Sequence, residues 1–201
     1  MRITTNLDAA IACLKSGGIV VYPTETSYGI GCDATNAAAV AKVFSIKNRP
    51  LDKGVTVLLS ANDPFGDVHV LWRSELHDLA AKHWPGPLNI VCSITATSSI
   101  APQCLTNGTI ATRRSSHLIA NALVDALGVP LVSTSANISG ESELYSAQGI
   151  YDRLSSESIQ PDVIFDVGEL PKRAPSTLVT WDDARGEVKV LWQGEIVLAN
   201  C

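Results

Sequence analysis

The sequence is poor in the features that would mark a metal protein, a disulfide scaffold or a membrane protein. Its five cysteines, Cys13, Cys32, Cys92, Cys104 and Cys201, are scattered, odd in number and form no C-x-x-C pair. That argues against both a disulfide framework and a zinc site, and reads as reduced thiols. The histidines His69, His77, His83 and His117 include no i,i+4 pair, so no helical metal-ligand face is predicted. No apolar run approaches the roughly 20 residues of a membrane span. The first residues, MRITTNLDAAIACLKSGG, are interrupted by Asn6, Asp8 and Lys15, unlike a signal peptide. A soluble, cytoplasmic chain with no membrane partner is expected. Aromatic residues make up only 5% and the formal net charge is −5. A general nucleic-acid surface would be basic and supplied with stacking platforms, so any anion site must be local.

What is present is a chain of 201 residues, 46% hydrophobic and 17% charged, enough for one substantial core. The first 15 residues carry Leu7, Ile11 and Leu14 at helical spacing, and Gly17-Gly18 follows, a helix stop. Ile19–Tyr22 reads as a buried strand that Pro23 terminates. Asn36 is placed to cap a helix bearing Val40, Val43 and Phe44. Further strands are predicted over 55–59, 88–94, 109–112, from 131 and over 163–165. Further helices are predicted over 74–83, 117–127 and 146–155. Segments 176–181 and 187–192 flank DDARG, a hairpin signal with a five-residue loop. Helices and strands alternate while the closing hairpin is antiparallel. The predicted fold is therefore a single α/β (α+β) domain over residues 1–201, a twisted mixed β-sheet flanked by helices.

Three segments concentrate chemistry. In PTETSYGIG, Thr24, Thr26, Ser27 and Tyr28 offer four hydroxyls within five residues. Those hydroxyls either line a ligand or bond to their own turn. The segment is not a phosphate loop of the G-x-x-x-x-G-K-[ST] kind, because no lysine follows the glycines. Lys47-Asn48-Arg49-Pro50 ends a predicted helix. Lys42, Lys47, Arg49 and Lys53 stand there against Asp52 alone, a set of cations suited to polyphosphate or simply to a helix C-terminus. Ser133-Thr134-Ser135-Ala136-Asn137-Ile138-Ser139-Gly140 follows a strand, where α/β sheets bind ligands. Arg113 ends another strand and suits a carboxylate. No Ser–His–Asp or Cys–His arrangement emerges from spacing, so the site is expected to bind and polarise.

These segments resemble those of the YrdC-like family of threonylcarbamoyl-AMP synthases, in its bacterial single-domain form. PTETSYGIG is similar to the family's PTET-x-YG-[LI]-G loop, and IKNRPLDKG to its K-x-R-P segment. HWPGPLNIV is similar to WPGP-L-T, TIATRRSSH to T-x-A-x-R, and PLVSTSANISG to S-A-N-x-S-G. The length leaves no room for the extra C-terminal domain of longer relatives. The resemblance implies a concave, positively charged site in which L-threonine, bicarbonate and ATP, with Mg²⁺, give threonylcarbamoyl-AMP and pyrophosphate. That product feeds threonylcarbamoyladenosine modification of tRNA through a hand-off to a separate transferase complex. Lys47 and Arg49 are then the catalytic cations on the triphosphate, with Thr109, Ser135 and Asn137 also on the nucleotide side. Thr24, Arg113, Ser133 and Ser176 are to surround threonine, Arg113 on its carboxylate. No protein ligand to a metal is implied. The chain departs from the family where Leu58 replaces a frequent histidine and Trp192 replaces an arginine of L-R-x-G. Two other readings remain at this stage. One is a module that binds structured RNA weakly on the concave surface. The other is a domain of a carbamoyltransferase that consumes carbamoyl phosphate.

Overall fold

A computed structural model describes residues 1–63, 66 and 68–198. In chain order the strands are β1 (Arg2–Thr4), β2 (Val20–Pro23), β3 (Tyr28–Gly31), β4 (Thr56–Leu58), β5 (Val70–Leu71) and β6 (Leu88–Ile94). They continue as β7 (Thr109–Arg113), β8 (Leu131–Ser135), β9 (Val163–Phe165), β10 (Thr177–Asp182) and β11 (Glu187–Trp192). The helices are α1 (Leu7–Lys15), α2 (Ala37–Lys47), α3 (Ser74–His83), α4 (Leu118–Leu127) and α5 (Ala147–Leu154).

The strands form one mixed sheet in the order β1-β9-β2-β3-β8-β4-β7-β6-β10-β11, with β5 on β6. β9 and β2, β4 and β7, and β6 and β10 pair parallel, whereas β2–β3, β3–β8, β8–β4 and β6–β7 are antiparallel. The predicted mixed sheet is thus the observed one. Three of the helices start at Asn or Ser side-chain caps: Asn6, Asn36 and Ser146 each accept a first-turn N–H. Gly128 closes α4 in the left-handed conformation.

Alternation along the strands gives the two sheet faces different work. On one face Val21, Tyr28, Ile30, Val57, Ile90, Ile110, Val132 and Val179 meet α2, α3 and α5 in the larger core. The other face is covered only in part. There Val20, Tyr22, Leu58 and Leu131 pack under α1 and α4 in a smaller core. Beyond that cover the same face continues through Gly29, Ser133, Ser135, Thr56, Ala111 and Asn89, which are small or polar, and through Leu178, and these line a cavity. Half a sheet face left without a helix is what creates the site.

Three sequence expectations are revised here. Pro23 does not stop β2 short; it is the last strand residue, opposite Tyr28. The YGIG segment, expected as loop, is strand β3. Glycine is required at Gly31, since a Cβ there would lie 1.7 Å from the Val132 carbonyl oxygen. The closing hairpin has its turn at 183–186, one residue shorter than expected. Cys13, Cys32, Cys92 and Cys104 are free thiols, and burial pushes Cys92 and Cys104 up to about 12. Cys201 lies outside the described residues. Among the described residues no helix is long and apolar enough to cross a membrane.

Candidate active site

The bare sheet face forms a cavity of about 290 Å³. At one end β7 delivers Arg113. Its guanidinium is buried and hydrogen-bonds through Nη1 to the Ser176 hydroxyl. The same Nη1 lies 3.8 Å from Glu25 Oε1, both side chains being almost wholly buried. Glu25 Oε2 accepts from the Ser115 hydroxyl, and Ser115 in turn accepts from His117 N at 3.1 Å, at the start of α4. Arg113 is thereby fixed from both sides, yet its Nε and Glu25 Oε1 have no hydrogen-bond partner. Buried polar atoms are seldom left so.

Ser176 is held by a strap. The segment after β11 folds back over Pro175–Thr177, with Glu195 N on the Pro175 carbonyl at 2.9 Å. The fully buried Thr177 hydroxyl accepts from Gly194 N at 3.0 Å and Ile196 N at 3.1 Å, and donates to Ile196 O at 2.7 Å. Gly194 is needed for this approach, because a Cβ there would meet Pro175 O at 2.1 Å. The strap also sets Trp192, 60% exposed, on the cavity rim.

At the other end stands Arg49, just past α2. Its Nε donates to Lys53 O at 2.9 Å and its Nη2 to Gly54 O at 2.5 Å. Part of its guanidinium still faces the cavity, and burial lowers its pKa. Lys47, the last residue of α2, is 2% exposed and does not line the cavity. Its ammonium donates to the Ser135 carbonyl, to Asn137 O at 2.7 Å and to Asn137 Oδ1 at 3.5 Å. Burial, reinforced by the Arg49 guanidinium, pushes Lys47 down to about 7, while Glu143 pulls the other way.

Of the residues singled out in the sequence, Thr24, Arg49, Arg113, Ser133, Ser135 and Ser176 line one cavity. Lys47, Thr109 and Asn137 do not. Thr109 donates its hydroxyl to Thr106 O at 2.7 Å. The Asn137 amide donates to Glu141 O at 2.6 Å and Ile138 O at 3.1 Å, bracing the loop above Lys47. In the β2–β3 hairpin Thr24 Oγ1 donates to Ser27 O at 2.7 Å and accepts from Thr26 N and Ser27 N at 3.3 Å each. The PTET hydroxyls therefore do tie their own turn, and that turn forms a cavity wall. Leu58 is a core residue beneath α4. Sequence reasoning missed Asn89, Glu143 and Leu178 as lining residues. Asn89 carried a signal, a carboxamide at an alternating strand position, and Glu143 carried none. Among the described residues no group of three or more His, Cys, Asp or Glu side chains gathers around a common point.

The Sua5/YciO/YrdC family model, described as "telomere recombination", matches residues 12–194. The chain belongs to this family. It is similar to the threonylcarbamoyl-AMP synthase of Xanthomonas euvesicatoria pv. vesicatoria, at 42% identity over 146 residues, 70% of this chain and 76% of that one. Among solved structures it is similar to P. abyssi Sua5 complexed with L-threonine, with a TM-score of 0.81 and 28% identity over 94% of this chain. The match takes in 54% of the P. abyssi protein, so this chain spans about half of that relative's length. E. coli YciO superposes with a TM-score of 0.80 at 25% identity, over 96% of this chain and 93% of that one. The YrdC-like fold expected from the sequence is therefore the fold observed, and in this Sua5/YciO/YrdC member the cavity's charged walls are Arg49, Arg113 and Glu143.

Proposed function

We propose that this protein is an L-threonylcarbamoyladenylate synthase, which converts L-threonine, bicarbonate and ATP to threonylcarbamoyl-AMP and pyrophosphate for tRNA modification. The observation that carries the reading is the pair of arginines at opposite ends of one small cavity, Arg113 beside Ser176 and Arg49 beside Gly54. Two anions of different kinds, a carboxylate and a polyphosphate, fit such a site. Its similarity to named synthases and to a relative complexed with L-threonine supports the same assignment.

In this reading Arg113 and Ser176 take the threonine carboxylate, with Thr24 and Ser133 on the neighbouring walls. The amine then lies toward Arg49. Bicarbonate takes up a proton and loses water to give CO₂, and the neutral amine adds to that CO₂ and releases a proton, leaving a carbamate. A carbamate oxygen attacks the α-phosphorus, the bond to the β-phosphate oxygen breaks, and pyrophosphate leaves. The substrates supply every reacting atom, so the protein contributes position and charge. Lys47 and Arg49 are its catalytic cations, and Ser135, Thr109 and Asn137 belong to the nucleotide side. Arg49 already faces the cavity. For Lys47 to meet phosphate, its ammonium must exchange the Ser135 and Asn137 carbonyl oxygens for phosphate oxygens.

The side chains present do not fit a resident Mg²⁺, since no three potential ligands converge among the described residues. The ion is assigned to the substrate, as Mg-ATP. We further assign the protein to the cytoplasm as a single domain over residues 1–201, with its product passed to a separate transferase complex.

Pure protein incubated with ATP, bicarbonate and L-threonine should form threonylcarbamoyl-AMP by mass spectrometry, with threonine-dependent pyrophosphate release. Pyrophosphate release that ignores threonine but follows carbamoyl phosphate would favour a carbamoyltransferase. A salt-sensitive RNA affinity lost in Lys47→Ala, without ATP turnover, would favour an RNA-binding module.

A further inference from the structure

We infer that Asn89 is the residue that reads the β-hydroxyl of the amino-acid substrate. This rests on the synthase reading above and deepens it. Asn89 lines the cavity, and its Oδ1 is a buried acceptor with no hydrogen-bond partner. Such an atom is costly unless a ligand completes it. The carboxamide is placed by strand register. Ile90 pairs with Thr112 across β6 and β7, so one step along this antiparallel pair puts Asn89 beside Arg113, about 5 Å away between backbones. On its other side Asn89 pairs with Leu178 of β10.

The orientation follows from the proposed reaction, which brings the amine, as its carbamate, to the α-phosphorus. With its carboxylate on Arg113, the amino acid must turn its amine toward the phosphate end, where Arg49 stands. That end lies on the β4 side of β7, whereas Asn89 and Leu178 lie on the β6 side. The substrate's β-carbon therefore faces Asn89 and Leu178, one hydrogen-bonding and one aliphatic side chain next to each other. A β-carbon that carries one hydroxyl and one methyl matches that wall. A site built to bond a hydroxyl rejects the analogue lacking it more strongly than an apolar pocket rejects a missing methyl.

The test compares kcat/KM for L-threonine, L-2-aminobutyrate, which lacks only the hydroxyl, and L-serine, which lacks only the methyl. Wild-type protein should favour threonine over 2-aminobutyrate by at least about tenfold. Asn89→Ala should lower that ratio by about tenfold or more through loss of threonine turnover, while the threonine-to-serine ratio stays within about threefold. Asn89→Val, which suits a strand, should give the same collapse and guards against a folding defect in the alanine variant. A parallel fall for all three amino acids, an unchanged ratio in a folded variant, or equal wild-type use of threonine and 2-aminobutyrate would overturn the assignment alone. A wild-type protein that makes no threonylcarbamoyl-AMP would remove the synthase reading and this assignment with it.

Discussion

Replacing Lys47 by methionine should have an effect on stability that depends strongly on pH. Lys47 is pushed down to about 7 in the fold against 10.5 for a free lysine, so holding it charged costs the fold on the order of 5 kcal/mol. Below about pH 7 the side chain is protonated both folded and unfolded, and the cost is fully present. As pH rises from 7 toward 10.5 the folded protein sheds the proton first, the unfolded chain binds more protons, and the native state gains stability. Methionine has similar length and no charge. It removes the cost but strands the Ser135 and Asn137 carbonyl oxygens that Lys47 satisfies, a loss of roughly 1–3 kcal/mol for each.

From pH 6 to pH 10 the stability of the variant relative to wild type should accordingly fall by about 4 kcal/mol, because only wild type sheds its charging cost. Near pH 10 the neutral amine still donates its hydrogen bonds at little charging cost, and wild type should be the more stable by about what those bonds are worth. Urea denaturation of both proteins from pH 6 to 10 reads this shift directly, since contributions from all other groups cancel in the difference. Stability curves that stay parallel across this range would refute the placement of a desolvated ammonium under the Ser135–Asn137 loop. Synthase activity of the variant should be lost at every pH, which would make Lys47 a residue kept for function against stability.

Two further outcomes test the opposite walls. Arg49→Ala should raise the KM for ATP by about tenfold or more, with threonine affinity unchanged, because a charge-assisted phosphate contact is worth roughly 1.5–3 kcal/mol; an unaltered ATP dependence in pyrophosphate-release kinetics would remove Arg49 from the nucleotide site. Thr177→Val deletes the three hydrogen bonds that lock the strap and should destabilise the fold by about 2–4 kcal/mol in urea denaturation, whereas a loss below about 0.5 kcal/mol would show that the strap is held elsewhere.

Much of the architecture was legible because its signals are local. Asn36 and Gly128 announce helix ends, and the apolar alternation of 88–94 announces β6. What was not legible depends on contacts distant in sequence. β1 is a three-residue polar segment that exists only because β9 lies beside it, about 160 residues later. β3 was hidden by Gly29 and Gly31, and the small size of Gly31 answers to the Val132 backbone on a strand about 100 residues away. The site divides along the same line. Arg49 and Arg113 stand out as cations next to turns and strand ends, but whether a side chain faces the cavity is settled by sheet register. Register sends Leu58 under α4 and Asn89 into the wall, while the end of α2 puts the Lys47 ammonium on the Ser135 and Asn137 carbonyls.

In the proposed synthase an acidic chain would bind two anions because its inward cations are left electrostatically incomplete. Arg113 has a counter-charge in Glu25, but at 3.8 Å and with an unpaired atom on each partner, so their pairing is unfinished. A closer, better aligned pair would cancel the cation and leave little for an incoming carboxylate. Loss of Glu25 would leave a bare guanidinium in a nearly dry site, at a desolvation cost the fold would have to absorb. The observed spacing sits between those limits: Glu25 lowers the cost of burying Arg113 and, through Ser115 and His117, ties it to α4, while the guanidinium keeps donors for substrate. Arg49 follows the same pattern with backbone carbonyls of Lys53 and Gly54 in place of a carboxylate. Neutral acceptors orient it, and the carboxylate near this end is Glu143, which lines the cavity and acts on the Lys47 ammonium. In the proposed synthase each end would thus set a cation against a carboxylate that only partly offsets it, Glu25 for Arg113 and Glu143 for Lys47 beside Arg49.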